Sequence, residues 1–241
     1  MTARRVGVLV FEGFEELDAV GPYDVFGSAA DRGANWTVEL LATGPTDRVT
    51  GANGLRVEPD ATLSVDGNPA ATADGNRMSA VKGDRKRAAA QGDATGTEGG
   101  FDSLLVPGGG WNDRAGAGAR AVAEDERVLT ALRDLHEGGT TLFAVCTGGM
   151  ILSAAGLLDG RAAVTHRGAL AELRETDAEV VEARVVDDGD VVTSGGVTAG
   201  IDLALWVVER EWGTEVADAV ATEMEYERSP DVYRAGDATD G

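Results

Sequence analysis

Short apolar runs alternate with longer amphipathic segments along the chain, and this alternation predicts strands and helices in turn. The runs that predict strands are RVGVLVF (5–11), WTVELLAT (36–43), LRVEPD (55–60), FDSLLV (101–106), TTLFAV (140–145) and AAVTH (162–166). The segments that predict helices are GPYDVFGSAADRG (21–33), ARAVAEDERVLTALRDLHEGG (119–139), one from Cys146 to about Leu158, one from Gly168, GIDLALWVVEREWG (200–213) and TEVADAVATEMEYE (214–227). Such alternation predicts an α/β fold, a mainly parallel sheet with helices on both faces and sites at the carboxyl ends of its strands.

Local signals support several of these elements. Pro22 lies early in its predicted helix, where the missing N–H costs nothing, and Gly138 closes the helix of residues 119–139. Asp188 and Gly189 mark the turn of a hairpin within VVEARVVDDGDVVTSGG (180–196). At 241 residues and 43% hydrophobic content, the chain can bury a full core, and we expect a single domain over residues 1–241.

One segment departs from the pattern. From Ser64 to Gly100 the chain is mostly Gly, Ala, Asp, Thr and Asn, with too few large aliphatic side chains for a packed unit. We predict a disordered insert at residues 66–98. The functional alternative is a lid or a partner-docking loop, because long loops without secondary structure are either functional or disordered.

The composition also indicates where the protein works. The sequence contains no apolar run of 18 residues and no charged-then-apolar leader before Val6, so we expect neither a membrane span nor a signal peptide. Its single cysteine cannot form an intrachain disulfide, in agreement with a reducing compartment. The sequence therefore predicts a soluble, cytoplasmic protein.

The charge balance is strongly acidic. Asp and Glu number 42 against 21 Lys and Arg, for a net charge of −21, and the only lysines are Lys82 and Lys86. An acidic, lysine-poor surface suits a cytoplasm with molar salt, which indicates a halophilic source that we expect to be an archaeon. No nucleic-acid partner is expected, because phosphate binding needs clustered cations and no basic stripe exists outside residues 82–87.

The lone cysteine lies in FAVCTGGMILSAAGLL (143–158), where an apolar run ends and a glycine pair begins. A lone cysteine in an apolar setting is more often an inert part of the core. Here, however, a strand leads directly into Cys-Thr-Gly-Gly and a helix, which predicts a sharp turn that presents the sulfur above the sheet. The N-terminus of the following helix would favour a thiolate. We therefore interpret Cys146 as a nucleophile.

Three other stretches could supply partners for this thiol. VFEGFEELDAVGP (10–22) carries four carboxylates after the first strand, most of which we expect to be solvated: Glu12, Glu15, Glu16 and Asp18. Gly108, Gly109 and Gly110 follow another strand and could bring backbone N–H groups to a ligand, or could simply form a tight turn. His166 ends a strand at the same edge, although a lone histidine is more often structural.

Together these motifs resemble the DJ-1/PfpI superfamily, and within it the isonitrile hydratase-like branch that also supplies the N-terminal domain of some AraC-type regulators. The resemblance covers nearly the whole chain apart from the insert and rests on four motifs: FEGFEELDAVGPYDVF, LLVPGGG, FAVCTGGMILSAAGLLDGRAAVTH and SGGVTAGIDLALWVVE.

The resemblance implies a flavodoxin-like three-layer sandwich, a homodimer and a small-molecule substrate. It also implies that Cys146 is the nucleophile and that Asp18 is the acidic residue beside its sulfur. Thr147 and the turn at Gly109 would stabilise the electrophile, together with the flanking glycines and His166. We expect neither a cofactor nor a metal ion.

The sequence differs from the motifs of related enzymes, and these differences reduce the number of activities to consider. PfpI-type peptidases carry a histidine directly after the cysteine, where this chain has Thr147, and amidotransferases use a distal His and Glu where this chain has TSGGVTAGID (193–202). Because the chain ends at Gly241, we expect no helix-turn-helix module. Three hypotheses stay open: hydration of an isonitrile through Cys146, glyoxalase or deglycase chemistry on 2-oxoaldehydes, and a non-catalytic redox-sensing stress protein.

Overall fold

A computed structural model of the chain describes residues 3–63, 70–71, 100–112 and 116–236. The strands are β1 (Arg4–Val10), β2 (Trp36–Ala42), β3 (Val49–Thr50), β4 (Arg56–Val57), β5 (Ala61–Thr62), β6 (Ala70–Ala71), β7 (Ser103–Val106), β8 (Thr141–Val145), β9 (Ala162–Ala163), β10 (Glu179–Val180), β11 (Val185–Asp188), β12 (Val191–Ser194) and β13 (Val232–Arg234). The helices are α1 (Glu16–Asp31), α2 (Ala119–Ala123), α3 (Glu126–Glu137), α4 (Gly148–Ala154), α5 (Leu170–Leu173), α6 (Ala199–Trp212) and α7 (Thr214–Glu223).

The central sheet of the described part has the strand order β13-β11-β12-β8-β7-β1-β2-β5-β6. The strands from β12 to β5 in this order are parallel, whereas β11 runs antiparallel to β12, and β6 antiparallel to β5. Two small sheets, β3 with β4 and β9 with β10, lie beside it. The predicted mainly parallel α/β architecture is confirmed.

Two groups of helices flank the sheet. Helices α1, α6 and α7 pack on one another, and α2, α3 and α4 form a second packed group. Large apolar side chains fill the core between the layers, where Phe26 of α1 contacts Phe143 of β8 and stacks edge-on against Trp36 of β2. In the part of the chain that the structure describes, no helix is both long and apolar enough to cross a bilayer.

Two predicted helices differ from the structure. The prediction of a single helix over residues 119–139 is wrong, because the chain forms two helices, α2 and α3, with a break between them. Asp125 lies at this break and caps the N-terminus of α3, since its side chain accepts the Arg127 N–H. Helix α1 begins at Glu16, five residues before the expected start, so Pro22 lies inside it rather than near its beginning. Pro22 cannot donate the helical hydrogen bond to the Asp18 carbonyl four residues earlier.

Several short elements also differ from the prediction. Helix α4 ends at Ala154 instead of about Leu158, and the helix expected from Gly168 is a 3₁₀ turn over Arg167–Ala169 that leads into the one-turn α5. Strands β4 and β9 lie outside the central sheet, and β13 has no counterpart among the predicted elements. Both differences arise because a short run of residues carries little information about the distant strand with which it pairs. The hairpin of β11 and β12 is confirmed, with Gly189 at a φ of 76°.

The insert predicted at residues 66–98 lies outside the described residues, apart from β6. Strand β6 pairs antiparallel with β5 through Ala70 and Ala71. The disorder of the insert stays a prediction.

Candidate active site

Cys146 lies on a sharp turn between β8 and α4. Its φ is 57°, a left-handed conformation that costs a non-glycine residue roughly 1–3 kcal/mol and that surrounding contacts must therefore fix. Its N–H is directed at the Ser194 and Gly195 carbonyls, at 3.2 and 3.0 Å, and its own carbonyl accepts the Thr165 hydroxyl at 2.9 Å. The predicted turn therefore exists, and hydrogen bonds hold it from two sides.

Close approach of two backbone segments explains the glycines after the cysteine. A Cβ on Gly148 would lie 2.1 Å from the Val106 carbonyl oxygen at the end of β7, and one on Gly149 would lie 3.0 Å from the Val164 carbonyl oxygen. Real Cβ atoms do not approach backbone oxygen to 2.1 Å. The glycine at 148 is therefore required for α4 to start directly above β7.

Asp18 lies in the first turn of α1 and is completely buried. Its Oδ2 accepts the Gly108 N–H at 3.0 Å, and Oδ1 has no partner in normal hydrogen-bond geometry among the described residues. Burial raises the pKa of Asp18 to about 7, against the opposing effects of the Gly108 N–H and of a hydrogen bond with the Cys146 thiol. Near neutral pH this carboxyl can therefore both give and take a proton.

The pKa of the Cys146 thiol is also raised. Burial, followed by the negative charge of Asp18, raises the pKa of Cys146 to about 12, although the backbone N–H groups of Val197 and Thr147 act against this shift. Because each group affects the other, they titrate as a pair. The pair loses its first proton from Asp18 close to neutral pH, and the remaining proton then lies on the sulfur. The ionised carboxyl is placed to accept that proton when the thiol reacts, which would give a thiolate beside a carboxylic acid.

The predicted electrophile-stabilising residues lie beside this pair, but two of their N–H groups are already used. Gly108 donates to Asp18, and Gly109 donates to the Thr147 Oγ1 at 3.0 Å. Side chains are excluded here, since a Cβ on Gly108 would lie 2.4 Å from the Thr147 Oγ1, and one on Gly109 2.4 Å from the Glu15 nitrogen. Gly109 and Gly110 have φ values of 120° and 67°. Thr147 and the glycines thus fix the turn around Asp18.

His166 lies just before the 3₁₀ turn and against the loop that follows β12. Its Nδ1 accepts the Gly168 N–H at 3.0 Å and lies 3.2 Å from the Asn112 Nδ2. Its ring packs on Gly196, where a Cβ would lie 2.4 Å from the ring Cδ2. The structure thus brings Cys146, Asp18, Thr147 and the glycines together, and connects His166 to the cysteine through the loop after β12.

The sequence model of the DJ-1/PfpI family matches residues 4–210. The chain belongs to this family. Isonitrile hydratase from Pseudomonas putida is 31% identical over 228 residues, which cover 95% of this chain and 81% of that protein. The Parkinson disease protein 7 homolog of Danio rerio is 28% identical over 221 residues, which cover 91% of this chain and 96% of that protein.

A solved structure agrees with this assignment. A THiJ/PfpI family protein from Pseudomonas syringae matches with a TM-score of 0.69 at 29% identity, covering 95% of this chain and 78% of that chain. The predicted family and its flavodoxin-like fold are confirmed. The archaeal source stays a prediction.

Sequence reasoning missed Val197 at this DJ-1/PfpI site and gave Glu15, one of the four carboxylates after β1, no role of its own. Val197 directs its N–H at the Cys146 thiol and has a φ of 45°, which is rare for a β-branched residue. Glu15 lies one turn before Asp18; burial, and then the charge of Glu16, raise the pKa of Glu15, and Glu15 in turn raises that of Asp18. The only signal for Val197 was the glycine pair before it. In the described ranges, no group of three or more His, Cys, Asp or Glu side chains could hold a metal ion.

Substituting Gly148 with alanine should destabilise the fold, because the new methyl group would overlap the Val106 carbonyl oxygen and backbone cannot move aside cheaply. We expect a loss of about 3 kcal/mol in the free energy of unfolding, measured by denaturant titration. Gly27→Ala is the matched control: Gly27 lies within α1, and a methyl group added there would meet no heavy atom within 4 Å, so alanine should stabilise by about 0.5–1 kcal/mol. Equal stability of the two variants would contradict this account of the turn.

Proposed function

We propose that this protein is a cysteine-dependent hydratase that converts an isonitrile to an N-substituted formamide. The observation that carries the proposal is the buried pair of Cys146 and Asp18, in which a carboxyl able to exchange a proton near neutral pH contacts a thiol on a sharp turn. The similarity to isonitrile hydratase over 95% of the chain supports the choice of substrate class.

In the first step the sulfur of Cys146 forms a bond to the terminal carbon of the isonitrile. The electron pair comes from the thiolate, and the proton that it lost to Asp18 returns to that carbon, which gives a thioimidate with a C–H bond and a C=N double bond. No oxidant, reductant or cofactor is needed. Asp18 is left ionised beside the intermediate.

In the second step water hydrolyses the thioimidate. The ionised Asp18 takes one proton of the water that attacks the carbon, and the second proton of that water passes to the substrate nitrogen. The carbon–sulfur bond then breaks to release formamide and the thiolate. Asp18 suits both steps because burial places its pKa at about 7, so that neither protonation state is costly at neutral pH.

Two other functions use the same residues. Glyoxalase or deglycase chemistry would start with attack of the same sulfur on the carbonyl carbon of a 2-oxoaldehyde. A redox sensor would instead use oxidation of Cys146. Burial and the raised pKa of this thiol slow its reaction with peroxide and with a substrate alike, so the product that forms separates the two functions.

The test is a substrate panel with one purified protein. Aliphatic and aromatic isonitriles, methylglyoxal and hydrogen peroxide would be supplied separately, with formamide, lactate and oxidised cysteine as the respective products measured by mass spectrometry. Formamide formation that needs Cys146, together with a transient mass increase equal to one isonitrile, supports the proposal. Lactate formation without formamide would instead establish the glyoxalase alternative.

We propose further that the protein works in a cytoplasm with molar salt. A net charge of −21 repels itself over a Debye length that grows from about 3 Å at 1 M to about 30 Å at 0.01 M salt. Transfer from molar to about 0.01 M KCl should therefore lower the melting temperature or unfold the protein, as followed by circular dichroism. An unchanged melting temperature would remove the halophilic interpretation.

A homodimer is also part of the proposal. Among the residues that the structure describes, the exposed large apolar side chains are Leu17 and Val20 on α1 and Leu55 in the turn between β3 and β4. Glu16 fixes that turn to α1, since its carboxylate accepts the Asn53 N–H and side-chain amide at 2.6 and 2.7 Å. A second copy would cover this surface. Val20→Glu should therefore halve the mass measured by light scattering in molar salt, and a wild-type monomer under these conditions would contradict the proposal.

A further inference from the structure

The loop of residues 195–198, which joins β12 to α6, forms one wall around Cys146. The Gly195 carbonyl accepts the Cys146 N–H at 3.0 Å, and the Val197 N–H hydrogen-bonds to the cysteine sulfur. The His166 ring packs on the same loop at Gly196. The position of this loop therefore affects how well the protein stabilises negative charge on sulfur, a role that the Val197 N–H shares with the Thr147 N–H.

Arg184, the residue just before β11, binds this loop at both of its ends. Its carbonyl accepts the Gly195 N–H at 3.1 Å, and its Nη2 donates to the Thr198 hydroxyl at 3.0 Å. Val197 lies between these two contacts with a φ of 45°. A β-branched residue keeps such a backbone conformation only where its surroundings fix it, and Arg184 supplies contacts on either side.

An ion pair with α6 fixes the guanidinium of Arg184. Its Nε pairs with the Oδ2 of Asp202, a carboxylate of α6 that is 4% exposed. The same carboxylate accepts the Tyr226 hydroxyl and the Ser229 N–H, both at 2.8 Å. With its partner held by two further donors, the planar guanidinium has one orientation in which it can also reach Thr198.

We propose that Arg184 is a positioning residue for Cys146: by holding both ends of the 195–198 loop, it keeps the Val197 N–H directed at the sulfur and so favours the thiolate. The inference rests on Cys146 as the reactive group of the proposed function, but it does not depend on which electrophile is the substrate. Arg184 does not need to touch the substrate for this role.

The decisive measurement is the pH profile of Cys146 alkylation by iodoacetamide, in molar salt, for the wild type and Arg184→Met. The substitution removes the guanidinium contacts but leaves the backbone contact to Gly195. Losing the hydrogen bond from the Val197 N–H to a charged sulfur should move the profile upward by about one pH unit, which is about a tenfold slower reaction at pH 8. Asp18, the titratable group whose charge acts on the thiol, is unchanged.

Arg210→Met is the matched control. Arg210 lies on α6 and pairs with Asp187 on β11 at 3.1 Å. This ion pair links α6 to β11, as the pair of Arg184 and Asp202 does, but it does not involve the 195–198 loop. We expect it to lower the melting temperature as Arg184→Met does, but to leave the alkylation profile at its wild-type position. A profile shifted equally in both variants would mean a general loosening of the fold and would overturn the proposal.

If Arg184→Met does not fold, Thr198→Val tests the same contact. It removes only the hydroxyl that binds Arg184, from an exposed position at the start of α6. An upward shift of the profile with an unchanged melting temperature supports the proposal, and an unshifted profile overturns it. Because alkylation requires no natural substrate, these outcomes are independent of whether the protein hydrates isonitriles.

Discussion

Cys146→Ala is expected to abolish isonitrile hydration. Alanine can adopt the left-handed φ of 57° at the same cost as cysteine, so the turn between β8 and α4 should persist. Without the sulfur, no thioimidate can form, and the covalent route disappears altogether. We expect turnover to fall by at least about three orders of magnitude, measured as formamide released per enzyme.

Cys146→Ser serves as a second variant, because it keeps a hydrogen-bonding group of similar size in the turn. A serine hydroxyl is a far weaker acid than a thiol, and burial beside Asp18 would weaken it further, so this variant should also be inactive. Near-ultraviolet circular dichroism should show wild-type packing in both variants. Turnover above about a tenth of the wild type in Cys146→Ala would exclude covalent catalysis.

The turn that carries the nucleophile could be predicted from the sequence because its causes are local. A strand that leads into Cys-Thr-Gly-Gly needs small residues, and the structure shows the reason at Gly148, which lies directly above the Val106 carbonyl. The strand and helix order was similarly predictable from hydrophobic periodicity. The break before α3 was not, because one side chain, Asp125, ends a pattern that otherwise continues through it.

The partners of the thiol depend on non-local contacts, which periodicity does not report. Four carboxylates follow β1, and only the resemblance to a family singled out Asp18. In the structure, Glu12 accepts the Thr50 N–H and Glu16 binds Asn53, so both serve the turn between β3 and β4. The contribution of Val197 was out of reach for another reason. It acts through its backbone N–H, and its side chain gives no indication of the left-handed φ.

Asp18→Asn is expected to separate nucleophilicity from turnover. The amide keeps the shape of the carboxyl but cannot transfer the proton, so hydration should fall by about 10²–10³-fold. The reactivity of the thiol should instead increase, because the charge of Asp18 raises the pKa of Cys146 and asparagine removes that charge. At pH 9, where the wild-type carboxyl is ionised, alkylation of Cys146 should therefore become faster while hydration becomes slower.

Glu15→Gln is the matched control for this substitution. It removes a charge one turn from Asp18, and that charge contributes to the raised pKa of Asp18, but the proton-transferring carboxyl stays in place. Hydration should remain within a few-fold of the wild type, and its pH profile should move slightly downward. If Glu15→Gln lost as much turnover as Asp18→Asn, the acidic charge of this helix turn would matter rather than the proton on Asp18.

The same substitution of Asp18 should change how stability depends on pH. The pKa of Asp18 is about 7 in the folded protein, against an ordinary value of 3.8, so the folded state binds this proton more tightly than the unfolded chain. Its contribution to stability is fully present below about pH 4 and is lost as the pH rises through about 7. The melting temperature of the wild type should therefore fall relative to that of Asp18→Asn across this range in molar salt. A constant difference between the two proteins would show that Asp18 ionises as in an unfolded chain, and Asp18 could not then act as the acid of the first step.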